Sequence, residues 1–154
     1  MMKVMITAIT AALLTACNAP EEKTTVITTP VVDKQSIASG SCYRYAAQGD
    51  TVILTITNVD AGNQVTGKLV YRLKEKDKNE GSIAGSLKDN ILVADYQFMS
   101  EGTISNRQVA FKLQDNAFTE GFGEITGQDG KIRFKNRDSL DFSSGLRLVE
   151  GTCR

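Results

Sequence analysis

The sequence predicts an all-β fold, an antiparallel up-and-down meander of about eight or nine short strands that closes into a small barrel. From Ser41 onward, apolar and polar residues alternate in short segments that recur roughly every ten residues. Turn-forming residues separate these segments, and no segment shows a sustained helical period. Glycine and alanine recur at inward positions of the segments, which is typical of strongly coiled strands that close into a barrel.

The apolar side of each segment identifies the candidate core. The inward positions, in chain order, are Val52, Leu54 and Ile56; Val65, Gly67, Leu69, Tyr71 and Leu73; Ile83, Gly85 and Leu87; Leu92, Ala94, Tyr96 and Phe98; Val109, Phe111 and Leu113; Phe118 and Phe122; Ile132 and Phe134; and Leu146 and Leu148. A further short strand, Cys42–Tyr45, is expected to pair with the last strand and complete the ring.

Turn residues predict how neighbouring segments pair. Asp89-Asn90 tolerates positive φ and predicts a two-residue hairpin turn that places Ile83 opposite Tyr96. Two further pairs follow from the same reasoning: Ile56 with Val65 across an Asn58–Gln64 loop, and Tyr71 with Ile83 across a charged Lys74–Asn79 loop. Inward positions face inward positions in all of these hairpins, as an antiparallel register requires.

The first 16 residues predict an export signal. Lys3 precedes an apolar run from Val4 to Leu14, and this run is shorter than the roughly 18–20 residues that span a bilayer. The run ends in Leu14-Thr15-Ala16-Cys17, which resembles the lipobox of bacterial lipoproteins. The resemblance implies that Cys17 carries lipid, palmitate included, and becomes the first mature residue. An ordinary signal with a chance cysteine is the alternative.

Residues 17–39 are expected to form the lipidated cysteine and a flexible tether, followed by a β-barrel domain over residues 40–154. Both prolines of the chain, Pro20 and Pro30, lie in this stretch, which has no sustained period. Asn18, rather than aspartate, follows Cys17, so the similarity to bacterial sorting signals implies the outer membrane, at its periplasmic face or the cell surface. Glu21-Glu22 resembles the acidic tract of some surface lipoproteins, although a solvated tether is the simpler interpretation.

Two of the three cysteines remain after Cys17 is assigned to lipid. Cys42 and Cys153 lie at the two ends of the predicted barrel, and an exported pair of this kind is expected to be oxidised. The bond would close a loop of about 110 residues and stabilise the fold by roughly 4–5 kcal/mol in the chain-entropy description. A reactive or metal-binding pair is the alternative, and it would require further ligands or a low-pKa environment.

Composition argues against several functional classes. The chain has 18 basic and 18 acidic residues, so it has no basic excess for nucleic-acid binding. It has no histidine, the commonest general base and metal ligand. Gly121-Phe122-Gly123 lacks the third glycine of a dinucleotide-binding fingerprint, and the acidic stretch at Asp77 does not fit a calcium loop. We therefore predict no cofactor, no metal and no catalytic residue.

One polar group of residues is predicted inside the barrel. Strand pairing places Arg107 opposite Tyr96 on the inner face, and alternation carries Glu120 and Glu124 inward. A two-residue loop after Leu113 would place Arg107 diagonal to Glu120, whereas a four-residue loop would place it opposite Glu124. Unpaired buried charges are destabilising, so these groups are expected to contact each other or a ligand.

Three roles for this group remain open. It is a structural polar plug at one end of the barrel, a site where Arg107 binds a carboxylate or phosphate, or an acid–base site built on Glu120. The charged stretch Lys74–Lys78 is interpreted as a solvated hairpin tip, with a partner-binding loop as the alternative.

The leading interpretation is a lipid-anchored, non-enzymatic β-barrel domain that binds a small molecule or an envelope partner. The pattern over residues 40–154 resembles small lipocalin-like or avidin-like barrels in architecture, without the glycine-x-tryptophan motif of lipocalins. An alternative is a protein inhibitor, because Ser39-Gly40 and Tyr43 resemble elements of the anchored lysozyme inhibitors of bacteria. A carboxylate-dependent enzyme, such as an isomerase or a glycan-acting protein, is a third possibility. A filled barrel would favour protein partners, and an open cavity ending at Arg107 would favour ligand binding.

Overall fold

The structure is a computed structural model that describes residues 35–153. The predicted signal segment, the lipidation site Cys17 and the tether before residue 35 lie outside the described residues. In the part of the chain that is described, no helix is long and apolar enough to cross a membrane.

Ten strands occur within residues 35–153, and eight of them close into an antiparallel barrel. The strands are β1 (Cys42–Ala47), β2 (Asp50–Val59), β3 (Gln64–Arg72), β4 (Asn79–Lys88), β5 (Ile91–Ser100), β6 (Thr103–Gln114), β7 (Ala117–Gly121), β8 (Ile125–Gln128), β9 (Lys131–Phe134) and β10 (Arg147–Glu150). The ring runs β5-β4-β3-β2-β1-β10-β7-β6 and returns from β6 to β5. The predicted all-β barrel is therefore confirmed.

The ring closes where the first strand meets the last. β1 pairs with β10 through Tyr43 and Glu150, and the amide of Gly151 donates to the carbonyl of Cys42 at 2.9 Å. A disulfide joins Cys42 to Cys153 beside this pairing, with 5.9 Å between the two Cα atoms. The predicted seam and its covalent bond are both confirmed.

The hairpin built on Asp89-Asn90 has the predicted register. Both residues have positive φ, at 51° and 62°, and Ile83 lies opposite Tyr96. Turn residues that tolerate this conformation therefore fixed the pairing, as expected from the sequence.

The registers of the two preceding hairpins differ from the prediction. Ile56 lies opposite Gly67 rather than Val65, because β2 and β3 continue past a bulge after Ile56 and leave a shorter loop. Tyr71 lies opposite Asn79 rather than Ile83, because β4 begins inside the stretch expected to be a charged loop. Both errors are an even number of residues, so the inward and outward faces were still predicted correctly.

The centre of the barrel is filled by apolar side chains. Residues with no exposed surface include Val52, Leu54, Ile56, Val65, Leu69, Leu92, Phe111, Phe118 and Leu148. Tyr43 packs edge-on against Phe118, with ring centroids 4.7 Å apart. Ile37, in the coil before β1, is also buried in this cluster. The packed part of the chain therefore begins before the predicted domain boundary at residue 40.

The chain leaves the barrel wall after β7, and this departure changes the predicted face of the residues that follow. The ring of Phe142 occupies the space beside Gly121 where a Cβ would lie, and Phe122 pairs with Asp141 as an isolated bridge. Phe122 is 48% exposed, so its predicted inward position is wrong. Alternation along a strand fails at this point because the strand itself ends at Gly121.

The β8–β9 hairpin lies outside the ring. β9 runs parallel to β6 and pairs with it at Asn106 and Arg107. The predicted core positions Ile132 and Phe134 belong to this hairpin and not to the buried cluster. The hairpin therefore lies against the half of β6 that β7 leaves uncovered, and it forms a wall at that end of the barrel.

Candidate functional site

A cleft of about 700 Å³ opens at the end of the barrel where β7 stops and the β8–β9 hairpin begins. Its lining includes apolar side chains from the hairpin and its flanking segments, namely Phe122, Ile125, Ile132, Phe134 and Leu146. Tyr71, Arg107 and Glu120 from the barrel strands also line it, as do the exposed Lys76 and Asp77. Two of the four residues of the predicted polar group, Arg107 and Glu120, thus line this cleft.

Arg107 lies opposite Tyr96 in the β5–β6 ladder, as predicted. Its guanidinium carbon is 5.2 Å from the ring centroid of Tyr71, 5.7 Å from that of Tyr96 and 5.4 Å from that of Phe98. These distances are within the range of cation–π interactions. Aromatic faces therefore surround the arginine.

The guanidinium of Arg107 forms no ion pair with a carboxylate among the described residues. Its Nε is buried and has no hydrogen-bond partner among the described residues, and none of the ion pairs found within residues 35–153 includes it. The expected contact between Arg107 and a glutamate of β7 is thus not an ion pair.

Glu120 is buried, as predicted, with 7% of its surface exposed. Its Oε1 accepts a hydrogen bond of 2.6 Å from the hydroxyl of Tyr71. Burial raises the pKa of the Glu120 carboxyl, and this effect exceeds the opposing effects of the Tyr71 hydrogen bond and the charge of Arg107. Glu120 therefore keeps its proton to higher pH than an exposed glutamate does.

Tyr71 connects the two charged residues. Its ring faces the guanidinium of Arg107 and its hydroxyl donates to Glu120. Burial, and then the neighbouring Glu120 carboxyl, raise the pKa of Tyr71 well above its ordinary value. The phenol is consequently a hydrogen-bond donor at any physiological pH.

Tyr96 contributes its ring to the site rather than its hydroxyl. The hydroxyl donates to the backbone carbonyl of Leu69 at 3.2 Å, and burial raises the pKa of this phenol. The ring stacks on Phe98 with centroids 4.6 Å apart. Tyr96 therefore holds Arg107 in place and does not face the cleft as a polar group.

Glu124 lies away from the other three predicted residues. Leu113 pairs with Phe118. This is the register of the four-residue loop, which was expected to place Glu124 opposite Arg107. The ladder, however, ends at Gly121, and Glu124 is exposed and forms an ion pair with Lys135 at 3.3 Å. Its predicted inward position is wrong because the chain has already left the barrel wall.

Gln108 holds the β8–β9 hairpin against the barrel. Its Oε1 accepts the backbone amide of Phe134 at 3.2 Å, and its Nε2 donates to Asp95 at 3.3 Å. Alternating patterns carry no signal for this contact, because it joins residues 26 positions apart through a side chain.

A second unpaired polar atom lies in the cleft. The Oδ1 of Asn79 is buried without a hydrogen-bond partner within the described residues, and Asn79 lines the same cleft as Arg107. Sequence reasoning assigned Asn79 to a loop and therefore missed it. Two residues that line the cleft thus each have a buried polar atom without a partner in the described chain.

Residues singled out for other roles are engaged in the fold. The Oγ of Ser39 accepts a hydrogen bond from the amide of Val59 at 2.9 Å, and Tyr43 is buried in the core. Lys74–Lys78 is exposed, as a solvated hairpin tip would be. No group of three or more metal-binding side chains occurs within residues 35–153.

Comparisons with known proteins identified no protein similar to this chain. No protein-family model, no curated protein and no solved structure matches the chain. The geometry brings the guanidinium of Arg107, which has no ion pair among the described residues, to a cleft that several exposed apolar side chains also line.

Proposed function

We propose that the protein is a lipid-anchored, non-enzymatic binding protein of the cell envelope, and that its cleft binds a small amphipathic anion. The observation that carries this proposal is Arg107, which lines an open cleft without an ion pair to any described residue and whose buried Nε has no hydrogen-bond partner there. A buried donor left unpaired costs about 1–3 kcal/mol. A carboxylate, sulfonate or phosphate bound in the cleft would pair with the charge of the guanidinium.

The apolar lining of the cleft suits the apolar part of such a ligand. Phe122, Ile125 and Ile132 are among the large hydrophobic residues that the barrel leaves exposed, and all of them line the cleft. Clustered exposed apolar side chains beside a few polar groups are typical of ligand sites. The filled centre of the barrel means that the ligand would occupy the mouth and not the interior.

The envelope location rests on the sequence. Leu14-Thr15-Ala16-Cys17 resembles a lipobox, and the residue after the cysteine is Asn18, not the aspartate that retains lipoproteins in the inner membrane. The disulfide between Cys42 and Cys153 is compatible with an oxidising compartment. An anchor by N-terminal lipid would hold the barrel and its cleft near the membrane surface.

The packed interior also supports a second candidate, in which an envelope protein is the partner. In that case the carboxylate of a protein side chain, and not a small molecule, would reach Arg107 through the same cleft. Native mass spectrometry of the protein taken from its own envelope distinguishes the two, because a retained small molecule and a retained protein differ in mass.

The experiment that tests the proposal is a titration of the full chain with 1-naphthalenesulfonate, a flat apolar molecule with one fixed negative charge. We expect Arg107→Met to weaken binding at least about tenfold, the loss of one charge-assisted hydrogen bond of roughly 1.5–3 kcal/mol. The control is Arg72→Met, because Arg72 follows Tyr71 on β3 but is exposed. Its binding should equal that of the wild type.

The stability of Arg107→Met separates a ligand anchor from a structural plug. We expect a loss below about 2 kcal/mol, because the variant gives up cation–π contacts and leaves no ion-paired carboxylate behind. A loss of about 3–5 kcal/mol, as for a broken buried ion pair, together with unchanged naphthalenesulfonate binding, would contradict the proposal.

A further inference from the structure

We infer that Glu120 determines the charge selectivity of the Arg107 site, so that the site admits singly charged anions, disfavours doubly charged ones and takes up a proton when an anion binds. This inference rests on the proposed function and identifies the class of ligand and the residue that selects it.

Glu120 and Arg107 both contact the side chain of Tyr71. The ring centroid of Tyr71 is 5.2 Å from the guanidinium carbon of Arg107, and the Tyr71 hydroxyl is 2.6 Å from Oε1 of Glu120. The two charged groups therefore line the same cleft across a single side chain, without an ion pair between them. An anion bound to Arg107 would lie close to the Glu120 carboxyl.

The elements packed around Glu120 bring few other charges to it. β3 contributes Tyr71 and β6 contributes Arg107, while the chain entering β10 contributes the apolar Leu146, whose carbonyl accepts the Glu120 amide at 3.0 Å. The neighbours of Glu120 on β7, Thr119 and Gly121, are uncharged. Lys76 and Asp77, which also line the cleft, are exposed and opposite in sign.

The charge of the cleft therefore depends on the protonation of Glu120. With Glu120 neutral, the cleft has one uncompensated positive charge, that of Arg107, which matches a monoanion. With Glu120 ionised, the two charges cancel and an incoming anion is repelled. Burial already raises the pKa of Glu120, and a bound anion raises it further. Anion binding and proton uptake thus favour each other, and affinity rises as the pH falls.

The test measures binding of 1-naphthalenesulfonate and of 1-naphthyl phosphate to the full chain from mildly acidic to mildly alkaline pH. The sulfonate keeps one charge throughout, whereas a phosphate monoester acquires its second charge at a pH of about 6. We expect sulfonate affinity to fall on the order of tenfold as Glu120 ionises, the size expected for one partly screened repulsion. The phosphate should bind more weakly than the sulfonate at alkaline pH.

Glu120→Gln keeps the shape of the side chain and removes its charge. In this variant the sulfonate affinity should stay at the acidic wild-type value across the pH range, and the phosphate should no longer be disfavoured. Glu124→Gln is the matched control, because Glu124 is exposed and pairs with Lys135. Its pH profile should follow that of the wild type.

Tyr71→Phe provides a second variant that does not depend on the folding of Glu120→Gln. The Tyr71 hydrogen bond lowers the pKa of Glu120, so its removal should move the midpoint of the affinity profile to higher pH while the ring facing Arg107 is kept. An unmoved midpoint would overturn the inference.

The outcomes distinguish this inference from the proposal on which it rests. Arg107-dependent binding that does not vary with pH, or that varies equally in Glu120→Gln, overturns the role of Glu120 and leaves the proposed function standing. No binding of either probe, or binding that Arg107→Met does not weaken, overturns the proposed function and this inference with it.

Discussion

Arg107 is held in the barrel by aromatic faces and not by a carboxylate. Three rings lie within cation–π distance of its guanidinium, and such contacts stabilise by about 0.5–2 kcal/mol. They fix the position of the side chain but use none of its N–H donors. An arginine held in this way remains available to an anion, whereas one in a bidentate ion pair does not.

The buried carboxyl of Glu120 is expected to make the stability of the fold depend on pH. Its pKa in the folded protein is raised above the ordinary value of 4.5 by burial, so the folded state prefers the protonated form. The contribution of Glu120 to the unfolding free energy is therefore fully present below the ordinary pKa, and it is lost as the pH rises through the raised pKa of the folded state. We expect the unfolding free energy of the wild type, measured with urea, to fall relative to that of Glu120→Gln over this interval.

The control for this prediction is Glu124→Gln, whose carboxyl is exposed. Its difference from the wild type should not follow the same curve. A difference between wild type and Glu120→Gln that stays constant with pH would show that the carboxyl is not desolvated in the fold.

Of the four residues that the sequence predicted on the inner face, three are there, and each was predictable from its own strand or hairpin. Tyr96 and Arg107 lie on strands joined by a short turn, so their pairing follows from counting residues. Glu120 follows from alternation with its buried neighbour Phe118. The inward position of Glu124 could not be predicted correctly in this way, because β7 ends at Gly121. Phe142, which packs beside Gly121, comes much later in the chain, after the β8–β9 hairpin.

At the scale of the strands, close approach of backbones explains the glycines at inward positions. A Cβ at Gly85 would collide with the carbonyl oxygen of Val93 on the neighbouring strand, and one at Gly67 with that of Thr55. Both obstacles are backbone atoms, which cannot move without disturbing the ladder. The recurrent small residues in the sequence thus mark places where the barrel wall bends sharply.

Gly85→Ala is expected to destabilise the protein by about 1–3 kcal/mol, the usual size of an overpacking penalty. Gly127→Ala, in β8, is the control, because a Cβ there would meet nothing within 4 Å. Urea denaturation of both variants measures the difference. Equal stability of the two variants would contradict the close approach of β4 and β5 at Gly85.

Strand faces were easier to predict than strand ends. The β2–β3 and β3–β4 hairpins kept their predicted faces but were paired two and four residues away from the prediction, since loop length is not encoded by alternation. Tyr71 was recognised as inward, but its contact with Arg107 crosses the barrel from β3 to β6. Such a contact depends on the stagger of the closed ring, which no pair of neighbouring strands reveals.

At the scale of the whole molecule, the barrel closes through its first and last strands and is joined there by the Cys42–Cys153 bond. The closed ring leaves the cleft at one end, between the barrel and the β8–β9 hairpin. The predicted anchor at Cys17 lies outside the described residues and stays a prediction.

The anchor is tested by Cys17→Ser. We expect this variant to lose acyl labelling and to move from the membrane fraction to the soluble fraction of the cell, because a lipidated cysteine would be the membrane attachment. Labelling with a palmitate analogue and sedimentation of membranes measure the two effects. Undiminished sedimentation with membranes would rule out lipid at Cys17 as the attachment.

The most direct test of the central claim observes the Arg107 Nε–H group itself by nuclear magnetic resonance. In the free protein this donor is buried and unpaired within the described chain. The account predicts that saturating 1-naphthalenesulfonate shifts the Arg107 Nε–H resonance, because the sulfonate pairs with the same guanidinium, while the resonance of the exposed Arg72 does not change. An unchanged Arg107 resonance, with ligand-induced shifts elsewhere in the protein, would contradict the account.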